Sequence, residues 1–337
     1  MKKIAFITGA AGFIGYHLSR CLLSNDWMVI GLDSMSDYYD VTLKKNRYNE
    51  LKKNKNFMGF VGFVQDRNLL NDIVDKYKPY VIVHLAAQAG VRYSIENPKS
   101  YVESNLIGTF EILELARIYK PKHLLLASTS SVYGANQVMP FDENQKCDTQ
   151  MSFYAATKKS NEVMAHSYSH IFDIPITVFR FFTVYGAWGR PDMALFKFTK
   201  NILEGLPIEV YNYGKMKRDF TNVLDLVEAI KLLIPVSPKL PNSRKKKFLN
   251  DSISDVAPFR VVNIGNSNTI DLLSFISELE NALGIKAKKI FLALQPGDVP
   301  ETSSDINLLK NLTGFSPKIS YQEGIKEFVD WYRGYYK

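Results

Sequence analysis

The chain has 337 residues, of which 46% are hydrophobic and 23% are charged, with a formal net charge of +8. This length predicts one large α/β domain or a domain with a smaller lobe. The sequence contains no run of about 20 apolar residues, so we expect no membrane-spanning helix. The two cysteines, Cys21 and Cys147, provide neither a disulfide framework nor a metal cluster. We therefore expect no metal site, and we expect a reducing, cytoplasmic compartment.

The positive charge raises the question of an anionic partner. The densest basic run, SRKKK at 243–247, lies in a polar stretch after Pro241, and this setting favours a solvated loop. No stripe of basic and aromatic residues accompanies it, so we expect no nucleic-acid partner and no membrane partner. The N-terminal MKKIAFITGAAGFIG is broken by three glycines, which argues against a signal peptide.

The first half of the chain alternates short apolar strands with amphipathic helices. This pattern predicts an α/β fold, a Rossmann-type doubly wound parallel sheet covered on both faces, with ligands at the carboxyl ends of its strands. The predicted strands are 3–8, 28–33, 80–87, 123–128 and 175–181, and the predicted helices include 13–23, 100–119 and 153–172.

After about Thr183, proline and glycine interrupt shorter elements, which indicates a smaller C-terminal substrate-binding lobe. A helix over 321–336 ends the chain. We expect the first domain to contain residues 1–183 and about 219–250. The lobe is then expected to contain about 184–218 and 251–337.

A glycine-rich turn follows the first predicted strand. In ITGAAGFIGYHL, Gly9 permits a tight turn, Gly12 allows a phosphate to approach the backbone, and Gly15 allows the next helix to pack closely. The spacing is GxxGxxG, which alone is weak evidence for a dinucleotide site. The second predicted strand ends at Asp33, whose carboxylate suits ribose hydroxyls and repels a 2′-phosphate, so NAD is favoured over NADP.

Two features suggest proton transfer at the same sheet edge. Tyr154 and Lys158 are four residues apart on a predicted helix and share one face, where the ammonium lowers the pKa of the phenol. Thr129, Ser130 and Ser131 follow the strand 123–128 and bring hydroxyls to its carboxyl end. Lys159 is rotated away from Lys158 and is expected to be a solvated charge.

The motifs TGAAGFIG, HLAAQAGVRYS, SNLIGTFEILE, STSSVYG and YAATK resemble the extended short-chain dehydrogenase/reductase family over essentially the whole chain. The resemblance implies bound NAD, with Tyr154 as base, Lys158 as its partner and Thr129 as the assisting hydroxyl. It also implies two groups of cofactor contacts. The phosphate turn contributes Phe13 and Ile14 beside its glycines. The remaining contacts are Asp66 and Arg67 beside adenine, Leu85, Ala86, Ala87, Gln88 and Asn105.

The further segments DSMSDYYDVTLKKNR, FFTVYGAWGRPDMALFKF, YNYGKMKRDFTNVLDL, APFRVVNIGNS and QPGDVPET most resemble the nucleotide-sugar epimerases of this family that act on UDP-glucuronate. Dehydratases and decarboxylases carry acidic residues where this chain has Ser130 and Ser131, so C4 epimerisation is favoured. Arg190, with Thr183 and the two serines, is expected to hold the sugar carboxylate. The resemblance further implies five contacts with the substrate: Arg218 on the phosphates, Tyr211 on uracil, Asp298 on ribose, and Gln295 and Arg92 nearby.

Other functions stay open at this stage. The alternatives are epimerisation of neutral UDP-glucose or UDP-N-acetylglucosamine, a net UDP-sugar oxidoreductase or dehydratase, and a non-catalytic NAD-binding protein. The helices 100–119 and 153–172 carry outward apolar residues and pair across a two-fold axis in the family, so a homodimer is expected.

Overall fold

A computed structural model of the chain describes residues 2–243 and 250–336. Residues 244–247 of the basic run lie outside the described residues, so its predicted loop stays a prediction. The strands are β1 Ile4–Thr8, β2 Met28–Asp33, β3 Phe57–Val61, β4 Val81–His84, β5 His123–Thr129, β6 Ile176–Phe181, β7 Thr183–Tyr185, β8 Ile208–Val210, β9 Lys217–Asn222, β10 Phe259–Ile264, β11 Thr269–Asp271 and β12 Lys289–Phe291.

Helices cover both faces of the main sheet and build much of the second lobe. They are α1 Phe13–Ser24, α2 Val41–Lys52, α3 Arg67–Tyr77, α4 Tyr93–Glu96, α5 Pro98–Tyr101, α6 Gly108–Tyr119, α7 Phe153–Phe172, α8 Ala194–Leu203, α9 Val223–Leu233, α10 Leu272–Leu283, α11 Asn307–Thr313 and α12 Tyr321–Tyr335. A π-helical turn, Val102–Ile107, joins α5 to α6, so the predicted helix 100–119 is continuous in the structure.

Within the described ranges, seven strands form a parallel sheet in the order β10-β6-β5-β4-β1-β2-β3. The chain runs from β1 outward to β3 and then returns to β4 on the other side of β1. A crevice therefore opens between β1 and β4 at the carboxyl ends of the strands, which is where doubly wound sheets bind ligands. The predicted Rossmann-type α/β fold is confirmed.

Alternating side chains of β1 reach two separate cores. Ala5 and Ile7 pack with helices α1, α2 and α9 on one face, whereas Phe6 packs with α3, α6 and α7 on the other. Both faces of the strand are buried, as its continuous apolar sequence predicts. Among residues 2–243 and 250–336, no helix is long and apolar enough to cross a bilayer.

The predicted domain boundaries require a correction. β10 lies in the seven-stranded sheet because it pairs with β6 over its full length, from Phe259 beside Ile176 to Ile264 beside Phe181. Helix α11 also returns to this body and packs on α9 and β10. Conversely, β9 belongs to a small sheet with β7 and β11, and β8 pairs with β12. The lobe thus receives β9 and loses β10 and α11.

Candidate functional site

The phosphate turn is built by close backbone contacts. Gly9 has a φ of +73°, and a Cβ atom there would lie 2.9 Å from the amide nitrogen of Ala86. A Cβ atom on Gly15 would lie 2.0 Å from the Gly9 carbonyl oxygen, so α1 packs directly against the turn. Gly12 caps α1 without a side chain, which leaves the amides of the first turn free for an anion. This cradle fits the diphosphate of a dinucleotide.

Asp33 sits at the end of β2 beside this turn. Its Oδ2 accepts a hydrogen bond from the Ala11 amide at 2.9 Å, and its Oδ1 accepts one from the Met35 amide at 2.9 Å. A carboxylate has about four lone-pair positions, so two remain for ribose hydroxyls. The arrangement of Asp33 fits NAD, as its place in the sequence predicts.

Most of the predicted cofactor contacts line one cleft. Its wall includes Gly9, Gly12, Phe13, Ile14, Gly15, Asp33, Leu85, Ala86, Ala87 and Gln88. Asn105 lies behind this wall. Its Oδ1 accepts from the Gln88 amide at 2.8 Å, and its Nδ2 donates to the Gln88 carbonyl and to Thr157 Oγ1, both at 3.0 Å. Asn105 therefore positions Gln88 and does not line the cleft itself.

Asp66 and Arg67 are placed differently from the prediction. In the segment that follows β3, Gln65 lines the cleft, whereas Asp66 does not. The Asp66 carboxylate caps α3 by accepting from the Leu69 amide at 3.1 Å, while Arg67 forms a 2.7 Å ion pair with Glu111 on α6. These partners keep both side chains out of the cleft.

Tyr154, Lys158 and Thr129 meet in the same cleft. Ser152 starts α7 by accepting from the Ala155 amide at 3.1 Å, which places Tyr154 in the first turn of the helix. Lys158 is almost fully buried and donates to the Ala127 carbonyl, at the end of β5, at 2.9 Å. Sequence-distant groups are thus joined by one strand end and one helix.

The protonation of these groups follows from their burial. Burial lowers the pKa of Lys158 to about 8. It also raises the pKa of Tyr154, although a hydrogen bond with Thr129 and the charge of Arg190 oppose this effect. The phenol is therefore protonated in the chain alone. Additional positive charge, such as an oxidised nicotinamide, is required to make Tyr154 a base near neutral pH.

The hydroxyl turn after β5 is ordered by its own hydrogen bonds. Thr129 Oγ1 donates to Ser131 Oγ at 3.2 Å and accepts from the Ser131 amide at 3.2 Å. Ser130 begins the 3-10 turn that follows. One residue before Thr129, Ser128 donates to Glu162 Oε1 at 2.7 Å. The turn is consequently tied to α7, the helix that carries Tyr154.

Arg190 reaches the cleft from the loop between β7 and α8. Its Nε and Nη2 donate to the two carboxylate oxygens of Asp192, with Nε to Oδ1 at 3.0 Å, and Tyr38 donates to the same carboxylate at 3.2 Å. Burial opposes the charge of Arg190, but Asp192 prevails and raises the pKa of the guanidinium. Thr183 is the first residue of β7 and lies next to cleft residues Phe182 and Val184.

The other predicted substrate residues form a second group outside the cleft wall. Arg92 pairs with Asp298 at 3.2 Å, and its guanidinium lies 4.9 Å from the ring centre of Tyr211. The Tyr211 hydroxyl donates to the Glu209 carboxylate, and Gln295 lies near enough to this hydroxyl to oppose the rise of its pKa. Arg218 Nη2 donates to the Val299 carbonyl at 2.6 Å, and its Nη1 donates to the next carbonyl along the loop at 3.0 Å. The structure thus brings these five residues together around the 295–300 loop.

Several residues that were not predicted from the sequence also line the cleft. Ser36, Tyr38, Tyr39 and Lys44 line it beside Asp33, and Lys44 Nζ donates to Ser36 Oγ at 2.9 Å. These four residues lie in the segment DSMSDYYDVTLKKNR. Its charged residues lie between apolar ones without a clear helical period, and this was the only indication in the sequence. Lys159 was expected to be solvated, but its Nζ lies 3.1 Å from the buried Glu162 carboxylate.

Lys158→Met is expected to stabilise the nucleotide-free protein while removing its activity. Because the pKa of Lys158 is low in the folded state, the unfolded chain binds more protons between pH 8 and about 10.4, and stability rises with pH in that window. Removing the buried charge should raise the free energy of unfolding at pH 7 by about 1–2 kcal/mol, after loss of one hydrogen bond. Urea unfolding at pH 7 and pH 10 measures both effects.

Lys159→Met is the matched control, because Lys159 neutralises Glu162 and its removal should not stabilise the chain. A Lys158→Met protein that is less stable than the Lys159→Met protein at pH 7 would contradict this account.

Comparison with known proteins agrees with the site. Residues 6–328 match the family described as GDP-mannose 4,6 dehydratase. A probable UDP-glucuronate 4-epimerase of Rhizobium meliloti (strain 1021) is 50% identical over 98% of this chain and 97% of its own. UDP-glucuronate 4-epimerase 2 of Arabidopsis thaliana is 42% identical over 98% of this chain and 76% of its own.

A solved structure extends the similarity to the fold. The UDP-glucuronic acid 4-epimerase from Bacillus cereus, in complex with UDP-glucuronic acid and NAD, has a TM-score of 0.87 and 32% identity, covering 98% of this chain and 99% of its own. Fold, cleft and sequence agree, and the chain belongs to the GDP-mannose 4,6 dehydratase family of extended short-chain dehydrogenases/reductases.

Proposed function

We propose that the protein is an NAD-dependent UDP-glucuronate 4-epimerase, an isomerase that interconverts UDP-glucuronate and UDP-galacturonate. The observation that carries the proposal is the presence of Arg190 in the same cleft as Thr129, Tyr154 and Lys158. A guanidinium that can pair with a carboxylate therefore lines the same cleft as groups that can transfer a proton, and this supports the proposal. The relatives at 50% and 42% identity bear the corresponding name.

In this mechanism the chain binds, orients and moves one proton. Tyr154 takes the proton of the sugar C4 hydroxyl, and Lys158 and Thr129 favour its phenolate. NAD, held by the phosphate turn and Asp33, would supply reversible hydride transfer at C4 of the sugar. After the 4-keto sugar has rotated, Tyr154 gives the proton back to the C4 oxygen. Substrate and product have the same oxidation state, so no external redox partner is required.

The hydroxyl turn favours epimerisation over related reactions. Ser130 and Ser131 supply hydroxyls and no carboxylate, so they do not provide the extra acid and base that elimination requires. A 4-keto uronate is a β-keto acid that loses CO₂ when its carboxylate bond aligns with the ketone π system. Arg190, Thr183 and the two serines are assigned to hold that carboxylate out of alignment.

Arg190→Ala is expected to raise the KM for UDP-glucuronate and to release a UDP-pentose. A charge-assisted contact contributes about 1.5–3 kcal/mol, so kcat/KM should fall by about 10- to 100-fold. Product analysis by NMR measures the pentose. Arg67→Ala is the control, since Arg67 pairs with Glu111 away from the cleft. An Arg190→Ala protein with the wild-type KM and no pentose would remove Arg190 from this role.

We assign the remaining predicted residues by their position. The cofactor group comprises Gly9, Gly12, Phe13, Ile14, Gly15, Asp33, Leu85, Ala86, Ala87 and Gln88, with Asn105 as a support. The second group, Arg92, Tyr211, Arg218, Gln295 and Asp298, is assigned to the UDP moiety. The sheet domain would then bind NAD and the smaller lobe the UDP-sugar.

The test is to incubate the protein with NAD and, separately, UDP-glucuronate, UDP-glucose and UDP-N-acetylglucosamine. We expect C4 inversion of UDP-glucuronate with a kcat/KM at least 10-fold above the neutral sugars, for the reason given for Arg190. Preferred inversion of a neutral sugar would support the alternative substrate. Sustained NADH production would support a net oxidoreductase, and no turnover would support a non-catalytic NAD-binding protein.

We also propose that the protein is a cytoplasmic homodimer. Exposed apolar side chains lie along the helical segment from α5 to α6 and along α7, including Ile118 at 64%, Val163 at 60% and Ile171 at 63% exposure. Exposed apolar residues on two neighbouring helices favour a helical interface with a second copy. A monomer in light scattering would contradict the dimer.

A further inference from the structure

Arg47 is a fully buried arginine that contacts two loops of the site. It lies on α2, and none of its surface is exposed. Its Nη1 donates to the carbonyl of Ala11, in the phosphate turn, at 3.1 Å. Its Nη2 donates to the carbonyls of Trp188 and Gly189 at 2.5 and 3.1 Å, in the loop that leads to Arg190.

The contacts of Arg47 are made almost entirely with carbonyl oxygens. A fourth hydrogen bond joins Nη1 to the Tyr39 hydroxyl at 2.9 Å, and Nε is buried without a partner in the part of the chain that the structure describes. Within those residues no carboxylate forms an ion pair with Arg47. A buried cation without a counter-ion is unfavourable unless an anion lies nearby. The diphosphate expected at the phosphate turn is such an anion.

The loop that leads to Arg190 has an unusual backbone conformation. Trp188 has a φ of +59°, which is uncommon for a bulky side chain. Its carbonyl and that of Gly189 point to Arg47, while the carbonyl of Ala187 accepts from His17 Nε2 on α1 at 2.8 Å. Three successive carbonyls are therefore held by the cofactor domain, immediately before Arg190. Arg190 extends from this loop into the cleft.

We infer that Arg47 is a positioning residue that joins the NAD-binding turn to the loop carrying Arg190. Its charge lies behind the phosphate turn and favours the cofactor diphosphate, and its forked guanidinium fixes the backbone from which Arg190 reaches the substrate carboxylate. The second half of this inference rests on the proposed function, whereas the first half does not. The role requires both the charge and the fork, and a lysine provides only the charge.

The test compares Arg47→Met and Arg47→Lys in the full chain. NAD dissociation constants are measured by calorimetry, and the UDP-pentose fraction of the product is measured by NMR with UDP-glucuronate. Arg47→Met should weaken NAD binding by at least 10-fold and raise the pentose signal to at least 5-fold above the wild-type background. Arg47→Lys should keep NAD binding within about 3-fold of wild type, since the charge remains, and still raise the pentose fraction.

Arg260→Lys is the matched control, because Arg260 is also a buried arginine but pairs with Asp251 and lies outside the cleft wall. It should leave NAD binding unchanged. Arg47→Lys with the wild-type product ratio would overturn the link to Arg190. If Arg47→Met fails to fold, Arg47→Lys still decides that link, and unchanged NAD binding in a folded Arg47→Met protein would overturn the cofactor role. A wild-type protein that does not convert UDP-glucuronate would refute the proposed function, and the NAD measurement would still test Arg47.

Discussion

Tyr154→Phe is expected to reduce the kcat for UDP-glucuronate epimerisation by about 10²- to 10⁴-fold, the usual range for loss of a general acid–base group. The variant loses only the phenolic oxygen. Its ring can keep the edge-on contact with Tyr101, whose ring centre lies 5.9 Å away. NAD binding and the melting temperature should therefore stay close to wild type. Stopped assays with NMR or chromatographic separation of the two epimers measure the rate.

Tyr168→Phe is the matched control on the same helix. Tyr168 is half-buried and donates to Glu114 Oε1 at 2.7 Å, far from the cleft wall. Loss of this hydrogen bond should cost about 1 kcal/mol of stability and leave kcat unchanged. If Tyr154→Phe kept more than a tenth of the wild-type kcat, Tyr154 would not be the proton-transfer group.

Glu162→Gln is expected to lower the free energy of unfolding by about 3–5 kcal/mol, because it leaves a buried arginine without its counter-ion. Glu162 Oε2 lies 2.9 Å from Arg180 Nη2, and both side chains are 3% exposed. Burial disfavours the charge on Glu162, but Arg180 prevails and lowers the pKa of the carboxyl. Urea unfolding at pH 7 measures the loss.

The pH dependence gives a second readout of the same pair. Because the folded pKa of Glu162 lies below its unfolded value of about 4.3, this stabilisation is complete above that value and is lost as the pH falls through the folded pKa. Glu162→Gln should lack this acid-side loss. The control is Glu50→Gln, which breaks an exposed pair with Lys53 and should change stability by less than about 1 kcal/mol. Equal losses of stability in Glu162→Gln and Glu50→Gln would show that the buried pair stabilises the fold no more than the exposed pair does.

Glu162 also explains why the hydroxyl turn and α7 act together. Its carboxylate accepts from Ser128, one residue before Thr129, and from Arg180 on β6. The same helix presents Tyr154 two turns earlier. The geometry of Thr129 and Tyr154 is thus set by one buried carboxylate, so Glu162→Gln should also lower kcat through misplacement of the turn. The positions of Thr129 and Tyr154 therefore depend in part on a buried ion pair of the core.

Local patterns in the sequence predicted the central fold well. Helix 153–172 and strand 28–33 have the predicted bounds in the structure, because both combine a clear apolar pattern with a cap or a turn at each end. Helix α2 was missed because it buries Lys44 and Arg47, which hides its apolar face. Strand β10 was assigned to the wrong lobe, since nothing local reveals that it pairs with β6.

The residues of the candidate site also divide into those that a local sequence pattern predicts and those that depend on distant contacts. Tyr154, Lys158 and Thr129 could be predicted because each lies just after a recognisable strand or in the first turns of a helix. Arg47 and Asp192 could not be predicted as partners of the site. Arg47 contacts Trp188, which is 141 residues away, and Asp192 accepts from Tyr38, which is 154 residues away. Such contacts depend on how the lobe folds back on the sheet.

Proton NMR of UDP-glucuronate, incubated with the protein and NAD in D₂O, distinguishes epimerisation at C4 from the alternative reactions. We expect UDP-galacturonate to appear with protium retained at C4, because the hydride removed from that carbon returns to it, and we expect neither NADH nor a pentose to accumulate. Deuterium at C4, steady NADH production or an unchanged substrate spectrum would contradict epimerisation through a transient 4-keto sugar.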